Sequence, residues 1–316
     1  MDYTKFYKRS YTPNGNYNLP NYDLFISAYD ECERTQFPFS KIKASEKVWL
    51  LFPQYNYRNK DEIPTEDVYF KDGRRETDYF SEFVEKYNKV TLNSKKICVD
   101  STGFLRSHLI YLITYFNFIG IREFDVLYTE PVMYTKGDET EFSTNVEVVR
   151  TVDGCSSSPV TSEEMNDVLI VCSGYDAMLF KAVASYKSSC KHKFHIIGFP
   201  SLQADMYQES MLRFYNVKDS VGNSKREFAP AFDPFVTAQV IDDIIKGIPK
   251  ITNIYLSPLS TKPQTLGMVL YYLYNKDKLG INILFPFSMN YTSGHAIGVK
   301  RTWIYTLELP GNLSMP

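Results

Sequence analysis

Hydrophobic residues in this chain fall into short continuous runs separated by longer helical patterns. The runs are YDLFISAY (22–29), KVWLLFPQY (47–55), KKICVD (95–100) and FDVLYTEP (124–131). In the second half they are DVLIVCSG (167–174), KFHIIGFP (193–200), ITNIYLSP (251–258) and INILFPFS (281–288). Runs that are apolar throughout, rather than alternating, predict strands covered on both faces in a parallel sheet. Between them lie amphipathic or wholly apolar segments at 74–89, 104–119, 177–188, 203–215, 235–246 and 263–274, read as helices. Strand, turn and helix in repetition predict an α/β fold, doubly wound, with mostly parallel sheet and helices on both faces.

Two segments break the rhythm. Residues 131–165 hold polar, β-prone pieces (EFSTNVEVVRTV) and a CSSSP loop, so they are read as a hairpin or linker between two Rossmann-like lobes. The lobes are placed at 1–150 and 151–316. The run KRTWIYTLEL (300–309) is expected to be an antiparallel edge strand.

Composition narrows the classes. Lys and Arg total 35 against 37 Asp and Glu, a net charge of 35 − 37 = −2, so no extended nucleic-acid surface is expected. Hydrophobic residues at 44% and charged residues at 23% exclude a disordered chain. The five cysteines, Cys32, Cys98, Cys155, Cys172 and Cys190, form no CxxC pair, and their number is odd. No disulfide framework is expected, which favours a cytoplasmic protein. The polar N-terminal stretch has no signal-peptide pattern, and LIYLITYFNFIGI (109–121) is too short to span a bilayer. Membrane association is not expected.

In open α/β sheets, ligands bind beyond the carboxyl ends of the strands. Three strand ends carry polar turns there. The first is VDSTGF (99–104), where Asp100 is followed by Ser101, Thr102 and Gly103, with Arg106 one turn into the next helix. Small hydroxyl residues and Gly bring backbone N–H groups close to an anion at a helix N-terminus. The second is VCSGYDA (171–177), with Ser173, Gly174, Tyr175 and Asp176. Tyr175 is a platform for a base, and Asp176 suits an N-cap. The third is YLSPLSTKPQTLG (255–267), with Ser260, Thr261 and Lys262 ahead of Pro263. A Lys at the positive end of a helix is unfavourable unless an anion offsets it, and that conflict is the sharpest site signal in the chain.

Other chemistries fit less well. GxxxxGK[ST], GxGxxG and the GxSxG elbow are absent. Cys190, His192 and His195 are close in sequence but match no zinc template, so neither a metal nor a cofactor is expected. Asp242 and Asp243 read as a solvated helix face, and GHAIG (294–298) as a glycine-rich loop.

The segment KITNIYLSPLSTKPQTLGMVLYYLYN (250–275) resembles the strand–Pro–helix–Gly unit near the end of CARF and SAVED domains. VDSTGF and its helix are similar to the strand-turn-helix that opens such a module. These domains are Rossmann-like sensors of cyclic oligonucleotide messengers in prokaryotic antiviral systems. The resemblance spans 95–290 in outline and only those two segments in detail. It implies a nucleotide-sensing subunit with a protein partner or effector. The residues themselves leave three classes open. One is a nucleotide or phosphate-ligand sensor using Ser101, Thr102, Gly103, Arg106, Ser173, Gly174, Tyr175, Ser260, Thr261 and Lys262. Another is a Rossmannoid hydrolase or transferase with Asp100 or Asp176 as acid/base. The last is a non-catalytic scaffold of a larger complex.

Overall fold

The computed structural model describes residues 1–15, 17–57, 61, 63–134, 146–157, 165–174, 176–221, 223–292 and 296–310. The chain divides into two compact units, one of Phe6–Ser143 with Asn290–Pro316, the other of Met1–Lys5 with Thr144–Met289.

Along the first unit run β1 (Lys8–Tyr11), β2 (Asn21–Ala28), β3 (Lys43–Leu51), β4 (Tyr55–Asn56), β5 (Val68–Phe70), β6 (Ile97–Asp100), β7 (Glu123–Glu130) and β8 (Met133–Tyr134). Its helices are α1 (Glu33–Lys41), α2 (Glu76–Lys86), α3 (Lys89–Leu92) and α4 (Arg106–Phe118). The second unit adds β9 (Val146–Ser156), β10 (Val168–Ser173), β11 (His192–Gly198), β12 (Lys225–Ala229), β13 (Ile254–Pro258) and β14 (Ile281–Ser288). Its helices are α5 (Ala177–Tyr186), α6 (Met206–Val221), α7 (Pro234–Lys246) and α8 (Lys262–Asn275). The chain then returns to the first unit with β15 (Tyr291–Thr292), β16 (Ala296–Ile297) and β17 (Arg301–Glu308).

The first sheet has the order β1-β17-β7-β6-β2-β3-β5. Its five strands β5-β3-β2-β6-β7 are mutually parallel, and β17 closes on β7 antiparallel from Arg301↔Glu130 to Glu308↔Glu123. The second sheet has the order β12-β11-β10-β13-β14-β9, parallel through its first five strands, with β9 antiparallel on β14. In both, the parallel strands lie in the order third, second, first, fourth, fifth along the chain. This is the doubly wound Rossmann-like α/β arrangement, and the strand order reverses between β2 and β6 and between β10 and β13. The central strands explain the sequence pattern: every residue of β6 and of β10 is buried. Cys98 and Cys172 sit in these two strands, and all five cysteines are free and buried.

In the second unit α5 packs beside α6, and α7 beside α8. The closest approach is at Gly267, where a Cβ would overlap the Pro234 carbonyl oxygen and lie 2.8 Å from Thr237 Cβ. Residues Met1–Lys5 clip onto this pair. Tyr3 is buried, its backbone N–H donates to Gln239 Oε1 at 3.1 Å, and its hydroxyl accepts from Asn275 Nδ2 at 2.9 Å.

Several expectations are revised. β17 is not an edge strand, because β1 pairs on its outer side. The 131–165 segment contributes β9, which is itself the edge of the second sheet, with its middle outside the described residues. A single cut at 150/151 is replaced by three passages between units, after 5, 143 and 289, because β17 must reach β7. The run read as 47–55 pairs as 43–51, and α1, β1, β5 and β12 were not anticipated. Among the described residues, no helix is long and apolar enough to cross a membrane.

Gly267→Ala forces a methyl group into the α7–α8 contact. Overpacking of this kind costs about 1–3 kcal/mol, so urea unfolding of the variant should show a lower midpoint. An unchanged midpoint would mean that this contact is not tight in solution.

Candidate functional site

The first reversal of strand order is built by the ends of β2 and β6. Asp100, the last residue of β6, is fully buried. Its Oδ2 accepts a hydrogen bond from Ser27 Oγ of β2 at 3.0 Å, and its Oδ1 accepts from the Thr102 backbone N–H at 3.0 Å. Burial pushes the carboxyl up to about 6, against the pull of the Thr102 and Ser27 hydrogen bonds and the Arg34 charge. The hydroxyls that follow turn to β7. Ser101 Oγ donates to Leu127 O at 2.8 Å, and Thr102 Oγ1 accepts from the Thr129 N–H at 3.0 Å. Gly103 then presses against β2: a Cβ there would overlap the Ala28 carbonyl oxygen. Helix α4 begins at Arg106, later than anticipated, with Leu105 at the N-cap and no side-chain cap.

Beside this turn, the chain leaving β2 forms a small polar chain of contacts. Cys32 Sγ donates to Asp30 Oδ2 at 3.3 Å and accepts from Arg34 Nε at 3.4 Å. The Arg34 side chain, in the first turn of α1, is only 13% exposed. Its guanidinium lies 5.9 Å from the Tyr134 ring centre. Tyr55, whose hydroxyl donates to Gly103 O at 3.1 Å, is held far above the usual phenol range by burial and by Asp30 and Tyr57, while Arg106 and Arg34 pull the other way. Two arginines, two aspartates and a half-buried tyrosine thus gather at the carboxyl ends of β2 and β6.

The second reversal lies between β10 and β13. Ser173 ends β10, and its Oγ pairs with His195 Nε2 of β11. His195 is buried between the rings of Phe180 and Phe214, at 5.0 and 4.3 Å between centres. Burial and the nearby Arg226 push it down to about 3, so it stays neutral and is a poor proton acceptor. At Gly174 a Cβ would meet Leu259 O at 3.1 Å and Ser260 Cα at 3.3 Å, so the turns after β10 and β13 touch. Asp176 is the N-cap of α5, accepting from the Leu179 N–H at 3.2 Å. Thr261 is the N-cap of α8; its hydroxyl accepts from the Gln264 N–H and donates to Ala231 O. Ser260 is buried, and Lys262 is the first residue of α8 with Pro263 next. Tyr175 and the histidine of the GHAIG loop lie outside the described residues.

The predicted loops therefore divide. Residues 173–174 and 259–262 come together at one reversal, and 100–106 stand at the other, in a different sheet. Ser101, Thr102 and Thr261 spend their hydroxyls on backbone groups. Ser27, Asp30, Cys32, Arg34, Tyr55 and His195 were missed by sequence reasoning. One signal for the first group was present in the sequence: Ser27-Ala28-Tyr29-Asp30, where β2 runs out, has the counterpart Ser-Gly-Tyr-Asp at 173–176. Among the described residues, no cluster of His, Cys, Asp and Glu is suited to hold a metal ion. No known family model matches the chain, and no curated protein sequence matches it.

Asp100 gives the fold a specific pH signature. Its folded pKa is raised from 3.8 to about 6, so the folded state holds the proton more tightly than the unfolded one. Stability from this group is therefore greatest below about pH 4 and falls as pH rises to about 6, by ~3 kcal/mol at most. In Asp100→Asn this component is absent. The wild-type stability minus that of the variant, from urea unfolding at pH 4, 5, 6 and 7, should decline across the window and then level. A difference that rises with pH would contradict the assignment.

Proposed function

We propose that this protein binds a nucleotide or another phosphate-bearing ligand at the carboxyl ends of its parallel strands, as a sensor or regulatory subunit. The observation that carries the reading is positional. The polar turns at 100–106, 173–174 and 259–262 flank the two points where strand order reverses, where ligands bind in open α/β sheets. Lys262 at the first position of α8 adds a cation to the positive end of a helix, a combination that suits a bound anion. The resemblance of the 250–275 segment to CARF and SAVED sensors makes cyclic oligonucleotides the first ligands to try, and antiviral defence the setting to test.

A second reading is a nucleotide hydrolase or transferase. Its support is Asp100, a buried carboxyl raised to about 6 at a reversal of strand order. Against it, both carboxylate oxygens already accept hydrogen bonds from Ser27 and Thr102. Phosphate release from nucleotides by the wild type, abolished in Asp100→Asn, would favour catalysis.

Titration calorimetry with cyclic and linear nucleotides tests the sensor reading directly. Lys262→Ala should weaken binding several-fold while changing the stability of the unliganded protein by about 0.5 kcal/mol or less. If the wild type binds nothing across such a panel, a scaffold role replaces the sensor.

A further inference from the structure

The Arg34 side chain is only 13% exposed, and its guanidinium makes few hydrogen bonds. Nε donates to the sulfur of Cys32 at 3.4 Å, a weak acceptor. Nη2 lies 3.9 Å from Asp30 Oδ2, beyond hydrogen-bond distance, and that oxygen already accepts from the Cys32 thiol. Among the described residues, neither Nη group donates a hydrogen bond. A charge withdrawn from water is costly unless it is paired and hydrogen-bonded. The two-pronged edge of the guanidinium is the face that matches a phosphate.

The surroundings point the same way. Arg34 stands in the first turn of α1, whose N-cap is Cys32, and no side chain caps this end. The first N–H groups of a helix without a cap favour an anion. Arg106 opens α4 across the β2–β6 reversal, and its charge reaches Tyr55 together with that of Arg34. The place is the one where the strand order of the first sheet turns about.

We propose that Arg34 is the anion receptor of the first sheet, taking a ligand phosphate on its Nη edge, which donates no hydrogen bond among the described residues, beside the N-terminus of α1. This rests on the phosphate-ligand reading above and gives it a residue that sequence patterns do not reveal. Asp30, two residues beyond the end of β2, accepts from the Cys32 thiol and with it holds Arg34 at the site. Arg34 is in that sense a binding residue, and Asp30 and Cys32 are its positioning residues.

The test uses the full chain with pyrophosphate and ATP as probes and adenosine as the uncharged control. Pyrophosphate and ATP should bind the wild type, and adenosine should bind far more weakly. Arg34→Gln should lower the affinity for both anions by tenfold or more. Arg34→Lys, which keeps the charge and loses the fork, should recover only part of it. Modification by phenylglyoxal provides a readout that needs no folded variant: pyrophosphate should protect the peptide containing Arg34 in the wild-type protein. If Lys262→Ala abolishes pyrophosphate binding while Arg34→Gln leaves it intact, Arg34 is not the receptor and the phosphate-ligand reading survives. If Arg34 is modified at the same rate with and without pyrophosphate that is bound, the proposal is likewise overturned. If no anion binds the wild type, both fall together.

Discussion

A carboxylate held away from water sets the geometry of the first sheet. Asp100 joins β2 to the turn after β6 through Ser27 and the Thr102 N–H, where the ladder between the two strands ends. A buried acid without such partners would be strongly destabilising, so the turn must present the Thr102 amide in one orientation. That orientation in turn places Gly103 on the Ala28 carbonyl and sends Ser101 and Thr102 to β7. Three strands are thereby fixed at one point, and α1 and α4 leave it in set directions. The charged groups on α1 and α4 inherit their positions from this knot.

The two units share a strand order and differ in how they finish it. Near the β2–β6 reversal, the charges of Arg34, Arg106 and Asp30 all reach Tyr55. At the β10–β13 reversal, backbone meets backbone at Gly174 and Leu259, and Thr261 ties the start of α8 to Ala231. The same topology thus supports a corner rich in charged side chains in one unit and a corner of backbone contacts in the other. The Ser173–His195 pair belongs to the bonded kind: a neutral imidazole between two phenyl rings packs a core and does not move protons at neutral pH.

Much of this fold was legible because its central strands are covered on both faces. β6, β10, β13 and β14 read as apolar runs for that reason. What escaped was polar by sequence. β12, KREFA, lies at an edge with mostly exposed residues, and α1 carries an internal Pro38. The turns that hold the site were visible from Gly, Ser and Thr after each strand. The purpose of their side chains was not, since only the packed structure shows that Ser101 and Thr102 serve β7. Arg34 was hidden most completely. In the stretch Asp30-Glu31-Cys32-Glu33-Arg34 its charge looks like part of a solvated run, and burial of one member is a tertiary fact.

The position of β17 carries a consequence for the order in which the protein is made. It lies between β1 and β7, so the first sheet joins segments from the two ends of the described chain. During synthesis β7 is complete long before residues 301–308 exist, and its outer edge waits with unpaired amides and carbonyls. All strands of the second sheet, meanwhile, are already made. The sheet whose strands are made first is therefore the last to close, and a growing chain carries an open β7 edge while every strand of the second sheet is made.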